Sequence, residues 1–407
     1  MKKIKLNLNI VIFTLISLSI LSRLFAVEFF SDTRLDNEWG KLVHNLEISG
    51  ILGINVVVNE FLAIHKFADI NDKVIPSVFM PPLYSYFIFF IKFILPNSFD
   101  LVKSVIFTQI ILSLISILIF FKIIRKFENN FTSLLTTMIF SIFPIYVYSN
   151  VQISSITLQV FLLVIFFYYL TNLIEKENLV DLLLFSFFSG LLILIRGEFI
   201  VFYFITIFYF FFFFKKNIRF FIFSIIFVAL IISPYIKRNY NYFNTFVITK
   251  SFGYNILKGN NPHLKVEGSA DYINDNYNQE DLKIETNNDY EIKLDNFYKQ
   301  KALNIIKDDP YEYLILYIKK CISFLFYDFN SSYPGYYNFL NIFPKIILSI
   351  FSFFGALIAL KRKSFFQYLS IYYFSNIFLF SIFFILPRYS LILLPVQLLL
   401  SINSIRF

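Results

Sequence analysis

Four carboxylates, Glu28, Asp32, Asp36 and Glu38, fall within eleven residues of the stretch EFFSDTRLDNEWGKLVHNLEISG (28–50). An Asp or Glu held in place can take a proton from a hydroxyl, and such general-base catalysis contributes typically about 10²–10⁴-fold. Four cations stand far along the chain at the ends of apolar runs: Arg196 in RGE, Lys237 and Arg238 in PYIKRNY, and Arg388 in PRY. Arg suits phosphate because its planar fork donates two parallel hydrogen bonds. A carboxylate meeting several such cations would bind an anion and activate a nucleophile beside it. Each group also has a plainer reading. An acid run is often a solvated face, and a cation among aromatic rings often anchors lipid headgroups.

The elements that must position these groups are membrane helices. The chain is 57% hydrophobic and 15% charged, whereas soluble domains carry about a quarter charged residues. Many apolar runs exceed the ~18 residues that span a bilayer. The fold class is therefore all-α and polytopic, with about ten transmembrane helices. The spans are read at 9–27, 100–121, 131–148, 156–172, 180–195, 199–214, 218–234, 339–360, 365–386 and 389–404. The basic, apolar N-terminus has no small-residue cleavage site and reads as a retained anchor.

Between the first two spans, 28–99 forms a long first outer loop. Its apolar piece LYSYFIFFIKFIL (83–95) would extend only about 20 Å, too short for a hydrocarbon core of about 30 Å, and is read as interfacial or re-entrant. A second outer region, 235–338, precedes the last three spans, with 311–329 lying along the membrane. The chain thus divides into a transmembrane catalytic module (1–234), an extracytoplasmic region (235–338) and C-terminal spans (339–407).

Charge supports this threading. The inner segments carry Lys2, Lys3, Lys5, Lys122, Arg125, Lys126, Lys176, Lys215, Lys216, Arg219, Lys361, Arg362, Lys363 and Arg406, against the acids Glu128, Glu175, Glu177 and Asp181. That is the positive-inside pattern. Were 83–95 a full span, every later span would reverse and these basic turns would lie outside. The net charge of +9 is thereby accounted for by membrane flanks, and no nucleic-acid partner is implied.

Other stretches carry weaker signals. Pro81 and Pro82 of PPLY have fixed φ and start a helix rigidly. KSFGYNILKGNNPH (250–263) places Gly253 and Gly259 among Asn255, Asn260, Asn261 and Pro262, which predicts tight turns, positive φ and backbone N–H groups near a ligand. Residues 264–310 show no clear period; they either pack over the site or form a variable loop. The single cysteine, Cys321, excludes an internal disulfide and a cysteine-cluster metal site. His44, His65 and His263 are isolated, and no metal-ligand spacing is present.

The order of an acidic first outer loop, PPLY, RGE, PYIKRNY, GYNILKGNNP and PRYSLILLP resembles the bacterial polyprenyl-phosphate-sugar glycosyltransferases of the GT-C superfamily. These are relatives of the protein O-mannosyltransferases and the lipid A aminoarabinose transferases. The likeness runs from about residue 20 to 397. It implies a transferase of the cell envelope, in the bacterial cytoplasmic (inner) membrane, with its site on the periplasmic, extracytoplasmic face. The donor would be a polyprenyl-phosphate-linked sugar and the acceptor a hydroxyl on a lipid, glycan or protein.

The resemblance also assigns roles. The base would be Asp36, with Trp39 where the family more often has Tyr; Asp32 is the second choice and Glu38 the third. Pro81, Pro82 and Tyr84 match Pro-Pro-x-Tyr, with Met80 where many members have His or Lys. Arg196, Gly197 and Glu198 replace Arg-Pro-Glu. Pro234, Tyr235, Arg238 and Asn239 match Pro-Trp-x-x-Arg-Asn. Gly253, Asn255, Gly259 and Asn260 match the glycine–asparagine elements, and Arg388 with Tyr389 the late Arg-Tyr pair. Arg196, Arg238, Lys237 and Arg388 would bind the donor phosphate. The family often has an acid at the second outer turn; this chain has Ser154, Ser155, Thr157 and Gln159. A second carboxylate, or a divalent metal held by it, is therefore left open, and no cofactor is firmly implied.

Two other classes share the polytopic pattern. A transporter or flippase would carry ionisable residues at mid-span and paired broken helices. A polymerase or ligase of lipid-linked glycans would have similar spans and a large outer loop without this motif order.

Overall fold

The computed structural model describes residues 8–55, 73–96, 98–214, 218–277, 284–285, 287–326, 339–361 and 364–405. The expected inner cations Lys2, Lys3, Lys5, Lys215, Lys216, Arg362, Lys363 and Arg406 lie outside the described residues, as do His65 and the end of the 311–329 segment. From the N-terminal side, α1 (Leu8–Phe30) leads into α2 (Glu38–Ser49), the antiparallel pair β1 (Gly53–Asn55) and β2 (Val74–Pro76), and α3 (Pro82–Ile94). The bundle continues with α4 (Leu101–Arg125), α5 (Asn130–Ile142), α6 (Pro144–Ser149), α7 (Ile156–Glu175), α8 (Leu179–Ile195), α9 (Phe199–Phe214) and α10 (Ile218–Phe243). A second hydrophilic region holds α11 (Phe252–Gly259), α12 (Ala270–Asn276), α13 (Tyr290–Asp308) and α14 (Pro310–Leu325). Then come α15 (Phe339–Ala359), α16 (Phe365–Ser381), a 3-10 segment (Pro387–Leu393) and α17 (Leu394–Ile405).

This is an all-α, multi-pass membrane protein. Among the described residues, α1, α4, α7, α10 and α15 are long and apolar enough to cross a bilayer, and α3, α5, α8 and α9 are shorter apolar helices. α7 lies at the centre, packed by α4 and α8, and 72% of its apolar window is buried. A helix that is apolar all round belongs in such a position. α15 and α17 cross backbone to backbone at Gly355, where a Cβ would stand 1.9 Å from the Leu400 carbonyl oxygen.

Three expectations change. The span read at 131–148 is two helices, α5 and α6. Phe143 adopts φ −59°, ψ 117° before Pro144, because the residue preceding proline is forced out of the helical region. The span read as ending at 234 runs on to Phe243 through Pro234. Proline cannot donate to the carbonyl four residues back, and here the Ser233 hydroxyl donates to that carbonyl, Leu230 O, at 2.9 Å. The last two spans, read as 365–386 and 389–404, are separated by an irregular strap from Ile382 to Leu386 and begin again as 3-10 helix.

The apolar run of α1 also carries a mid-helix charge. Arg23 is fully buried. Its Nε donates to Ser113 Oγ at 3.1 Å and its NH1 to the Ser19 and Ser141 carbonyls, which ties α1 to α4 and α5. Buried charges in lipid persist where such donors find acceptors.

Candidate functional site

The first outer loop is stitched to the turn after α6. Asp32 N donates to Val151 O at 3.2 Å, and Asp32 Oδ2 accepts from Ile153 N at 2.7 Å. Asn37 Nδ2 donates to Ile153 O at 3.1 Å, while its Oδ1 caps α2 by accepting from Gly40 N. Such a cap satisfies an otherwise orphaned N–H. Asp32 and Glu38 are half-buried on this framework; Asp36 is exposed and makes no hydrogen bond among the described residues.

The proline pair starts α3 as expected, with Pro81 as N-cap at φ −61° and Pro82 at the first helical position. α3 buries Tyr84 completely. The Tyr84 hydroxyl donates to Gln109 Oε1 at 2.7 Å, and Gln109 Nε2 donates to the Asn150 and Gln152 carbonyls. Trp39 meets Tyr84 edge-on at 5.1 Å. Burial, and then the Asp32 charge, push the Tyr84 phenol well above its ordinary range.

The cations divide into two groups. Arg196, at the C-terminal cap of α8, lies over the rings of Phe380 (4.6 Å) and Tyr389 (4.9 Å). Its Nε is 3.8 Å from Glu198 Oε2. Arg388 is exposed, and its charge acts on the neighbouring Tyr389 side chain. Lys258 of α11 joins them: its Nζ stands 4.5 Å over Phe384, which itself packs on Tyr389 at 5.8 Å. Burial and then the nearby Arg388 charge lower the Lys258 pKa, against Glu38, Glu267 and Asp271. Glu38 also raises the phenol of Tyr254, after burial. An acid of the first outer loop therefore shares one electrostatic neighbourhood with cations from α11 and the 3-10 segment, and Tyr389 extends it to Arg196.

Arg238 points elsewhere. Its NH1 donates to Ser77 O at 2.8 Å and to Asn239 Oδ1 at 2.7 Å, and its NH2 to Leu52 O at 2.6 Å. Tyr235, Tyr242 and Phe243 surround it. Asn239 is fully buried and donates to Val247 O. Lys237 is exposed and has no partner among the described residues. Asn255 reaches Ser251 Oγ at 3.4 Å.

The glycine–asparagine stretch differs from the expected turn. Gly253 and Gly259 lie in α11 and neither has positive φ, which among described glycines belongs to Gly50 and Gly268. Their smallness serves close approach: a Cβ would stand 1.8 Å from Asp295 O at Gly253 and 2.2 Å from Phe383 O at Gly259. Asn260 Nδ2 donates to Ile256 O and Ile382 O, both at 2.9 Å, and its Oδ1 accepts from the buried Lys320 at 2.9 Å. That junction fixes the strap beside Arg388. Among the described residues no group of three His, Cys, Asp or Glu side chains could hold a metal ion.

Lys258, Asp295, Glu291 and Lys320 were not singled out by sequence reasoning. Lys258 stood inside the quoted KGNN stretch, yet only the fold places it over Phe384.

Residues 80–237 match the profile of the dolichyl-phosphate-mannose-protein mannosyltransferase family. The matched stretch holds Pro81, Pro82, Tyr84, Arg196 and Glu198; the first-loop acids, α11 and the Arg388–Tyr389 pair lie outside it. Among solved structures, the apo oligosaccharyltransferase of Archaeoglobus fulgidus superposes with a TM-score of 0.56 at 13% identity, covering 99% of this chain and 50% of that one. At that identity the likeness is one of fold: this chain and the oligosaccharyltransferase share the same helical architecture. Two further structures of the Archaeoglobus fulgidus enzyme superpose in the same way. One is tethered to an acceptor peptide with the NVT sequon (TM-score 0.54, 14% identity, 97% of this chain and 49% of that one). The other, AglB, holds an inhibitory peptide and a dolichol-phosphate (TM-score 0.55, 13% identity, 96% and 50%). The chain spans about half the length of these structures. No curated protein matches it.

Proposed function

We propose that the protein is a membrane glycosyltransferase that moves a single hexosyl- or pentosyl-type sugar from a polyprenyl-phosphate carrier to an acceptor hydroxyl. The observation that supports this reading is the meeting of Arg196, Lys258 and Arg388 around Tyr389 and Phe384, with Glu38 in the same electrostatic neighbourhood. Three cations on separate elements suit a phosphate. As the anomeric C–O bond breaks, negative charge collects on the leaving phosphate, and fixed cations in a dry site lower that barrier by several kcal/mol. Arg238, with its donors turned to loop carbonyls, holds the scaffold in this reading.

The base is Asp36. Its carboxylate is exposed and carries no hydrogen bond among the described residues, so it is open to an acceptor hydroxyl, whereas Asp32 already accepts from Ile153 N and the Glu38 charge acts on Lys258. Deprotonation and in-line attack give one displacement and inversion at the anomeric carbon. In this reading the site lies on the extracytoplasmic face of a bacterial cytoplasmic membrane, and the basic inner turns of the sequence support that side. In a transfer assay with a defined prenyl-phosphate monosaccharide, Asp36→Asn loses at least 100-fold in kcat. Near-wild-type turnover by that variant sinks the assignment of the base.

A second reading, transfer of a preassembled glycan, is favoured by the fold shared with an oligosaccharyltransferase. Donors of one sugar and of several sugars, supplied in parallel, separate the two.

A further inference from the structure

Glu291 opens α13, in a stretch without motif, and is 4% exposed. Its Oε1 accepts from Ser77 Oγ at 2.8 Å; its Oε2 accepts from Val78 N at 2.6 Å and Phe79 N at 3.0 Å. One carboxylate thus takes three hydrogen bonds from consecutive residues of the first outer loop. The same residues are held from other sides: Arg238 donates to Ser77 O, and Lys250 N donates to Val78 O at 2.8 Å. One turn further along α13, Asp295 Oδ1 accepts from Gly253 N at 2.6 Å and Tyr254 N at 3.3 Å. These are first-turn amides of α11, orphaned until a carboxylate meets them.

Both grips lead to the site. Phe79 packs edge-on against Tyr254 at 5.6 Å, and the Glu38 charge acts on Tyr254. Two residues after Phe79 the proline pair sets α3, which presents Tyr84 to Trp39. α11 carries Lys258. We infer that α13 is a clamp that registers the first outer loop against α11, and that Glu291 is a positioning residue for transfer. The link to transfer rests on the function proposed above; the clamp does not. The ionisable groups around Glu291 are Arg238 and Tyr235 of α10. Burial pushes its carboxyl up to about 7, against its three hydrogen bonds and Arg238.

Backbone hydrogen exchange and kinetics on the purified full-length protein in lipid nanodiscs test this. Glu291→Gln keeps the shape but removes the charge: its amide oxygen can still face Val78 N and Phe79 N while its NH2 turns to Ser77 Oγ, so the charge-assisted grip on the two backbone donors weakens to neutral hydrogen bonds. Exchange at Val78 and Phe79 is expected to rise at least tenfold, with no change in α4 and α7. Asp295→Asn has the same effect at Gly253 and Tyr254. Ser77→Ala removes one bond and gives a smaller rise should Glu291→Gln fold poorly. With a prenyl-phosphate monosaccharide, kcat falls at least tenfold in Glu291→Gln at unchanged folded fraction. Unchanged exchange at Val78 and Phe79 overturns the clamp. Raised exchange with wild-type kcat and KM overturns the positioning role. If the wild type transfers no sugar, the proposed function falls and the exchange result alone decides the clamp.

Discussion

Lys320→Met isolates the effect of one buried cation on stability. Lys320 on α14 has no exposed surface and donates to Asn260 Oδ1 at 2.9 Å. Burial lowers its pKa from 10.5 to about 7, with Cys321 opposing. Because the folded pKa lies below the unfolded one, the unfolded chain holds more protons between about 7 and 10.5. Stability therefore rises with pH in that window. Each pH unit above the folded pKa adds close to 1.4 kcal/mol, so the gain between pH 7 and 9 is about 2 kcal/mol. Met has similar length and no charge. Lys320→Met removes this gain and leaves Asn260 Oδ1 without a donor, a further cost of about 1–3 kcal/mol that does not vary with pH. The assay is thermal unfolding of wild type and variant in detergent at a fixed scan rate, from pH 6 to 9. Tyrosine and cysteine titrations are common to both proteins and drop out of the difference. Wild type is expected to gain on the variant by about 2 kcal/mol from pH 7 to 9. Parallel curves would refute the reasoning.

Other outcomes follow from the geometry. Arg196→Gln, Lys258→Gln and Arg388→Gln are each expected to raise the donor KM about 10–100-fold, since a charge-assisted hydrogen bond contributes roughly 1.5–3 kcal/mol; steady-state kinetics with varied donor reads this. Arg238→Gln loses its bonds to Ser77 O and Leu52 O, so its main effect is a lower unfolding temperature rather than a selective rise in donor KM. Gly253→Ala forces α11 off α13, where a Cβ would stand 1.8 Å from Asp295 O, and is expected to destabilise by about 1–3 kcal/mol or more. Thermal unfolding checks it; an unchanged midpoint would mean the two helices do not meet so closely.

The spans were legible because lipid offers the backbone no hydrogen-bond partner and demands long apolar helices. Runs such as 101–125 and 156–175 announce themselves. Pro144 was visible in SIFPIYVY, but a run of apolar residues on both sides hid the break it makes. Arg196 and Arg388 stand out as span-end cations and Tyr389 through the resemblance, and the fold brings Arg196 over the ring of Tyr389, next to Arg388. Arg238 gave the same signal and binds loop carbonyls instead. A span-end Arg carries no mark of what it faces until the loops are folded. Gly253 and Gly259 were read as turn formers, although glycine serves close helix packing equally well. Glu291 and Asp295 were hidden because their partners are backbone amides more than forty positions away, which no motif records. Residues 264–310, read as either a packed cover or a variable loop, contain in α13 a helix bonded to both walls of the site.

The central claim is that Arg196, Lys258 and Arg388 bind one phosphate beside the first-loop acids. A density map of the protein with a bound prenyl-phosphate monosaccharide tests it most directly. The account predicts phosphate oxygens within hydrogen-bond reach of all three cations, with the anomeric carbon turned towards Asp36. Phosphate bound at Arg238 or Lys237, or away from Tyr389, would contradict it.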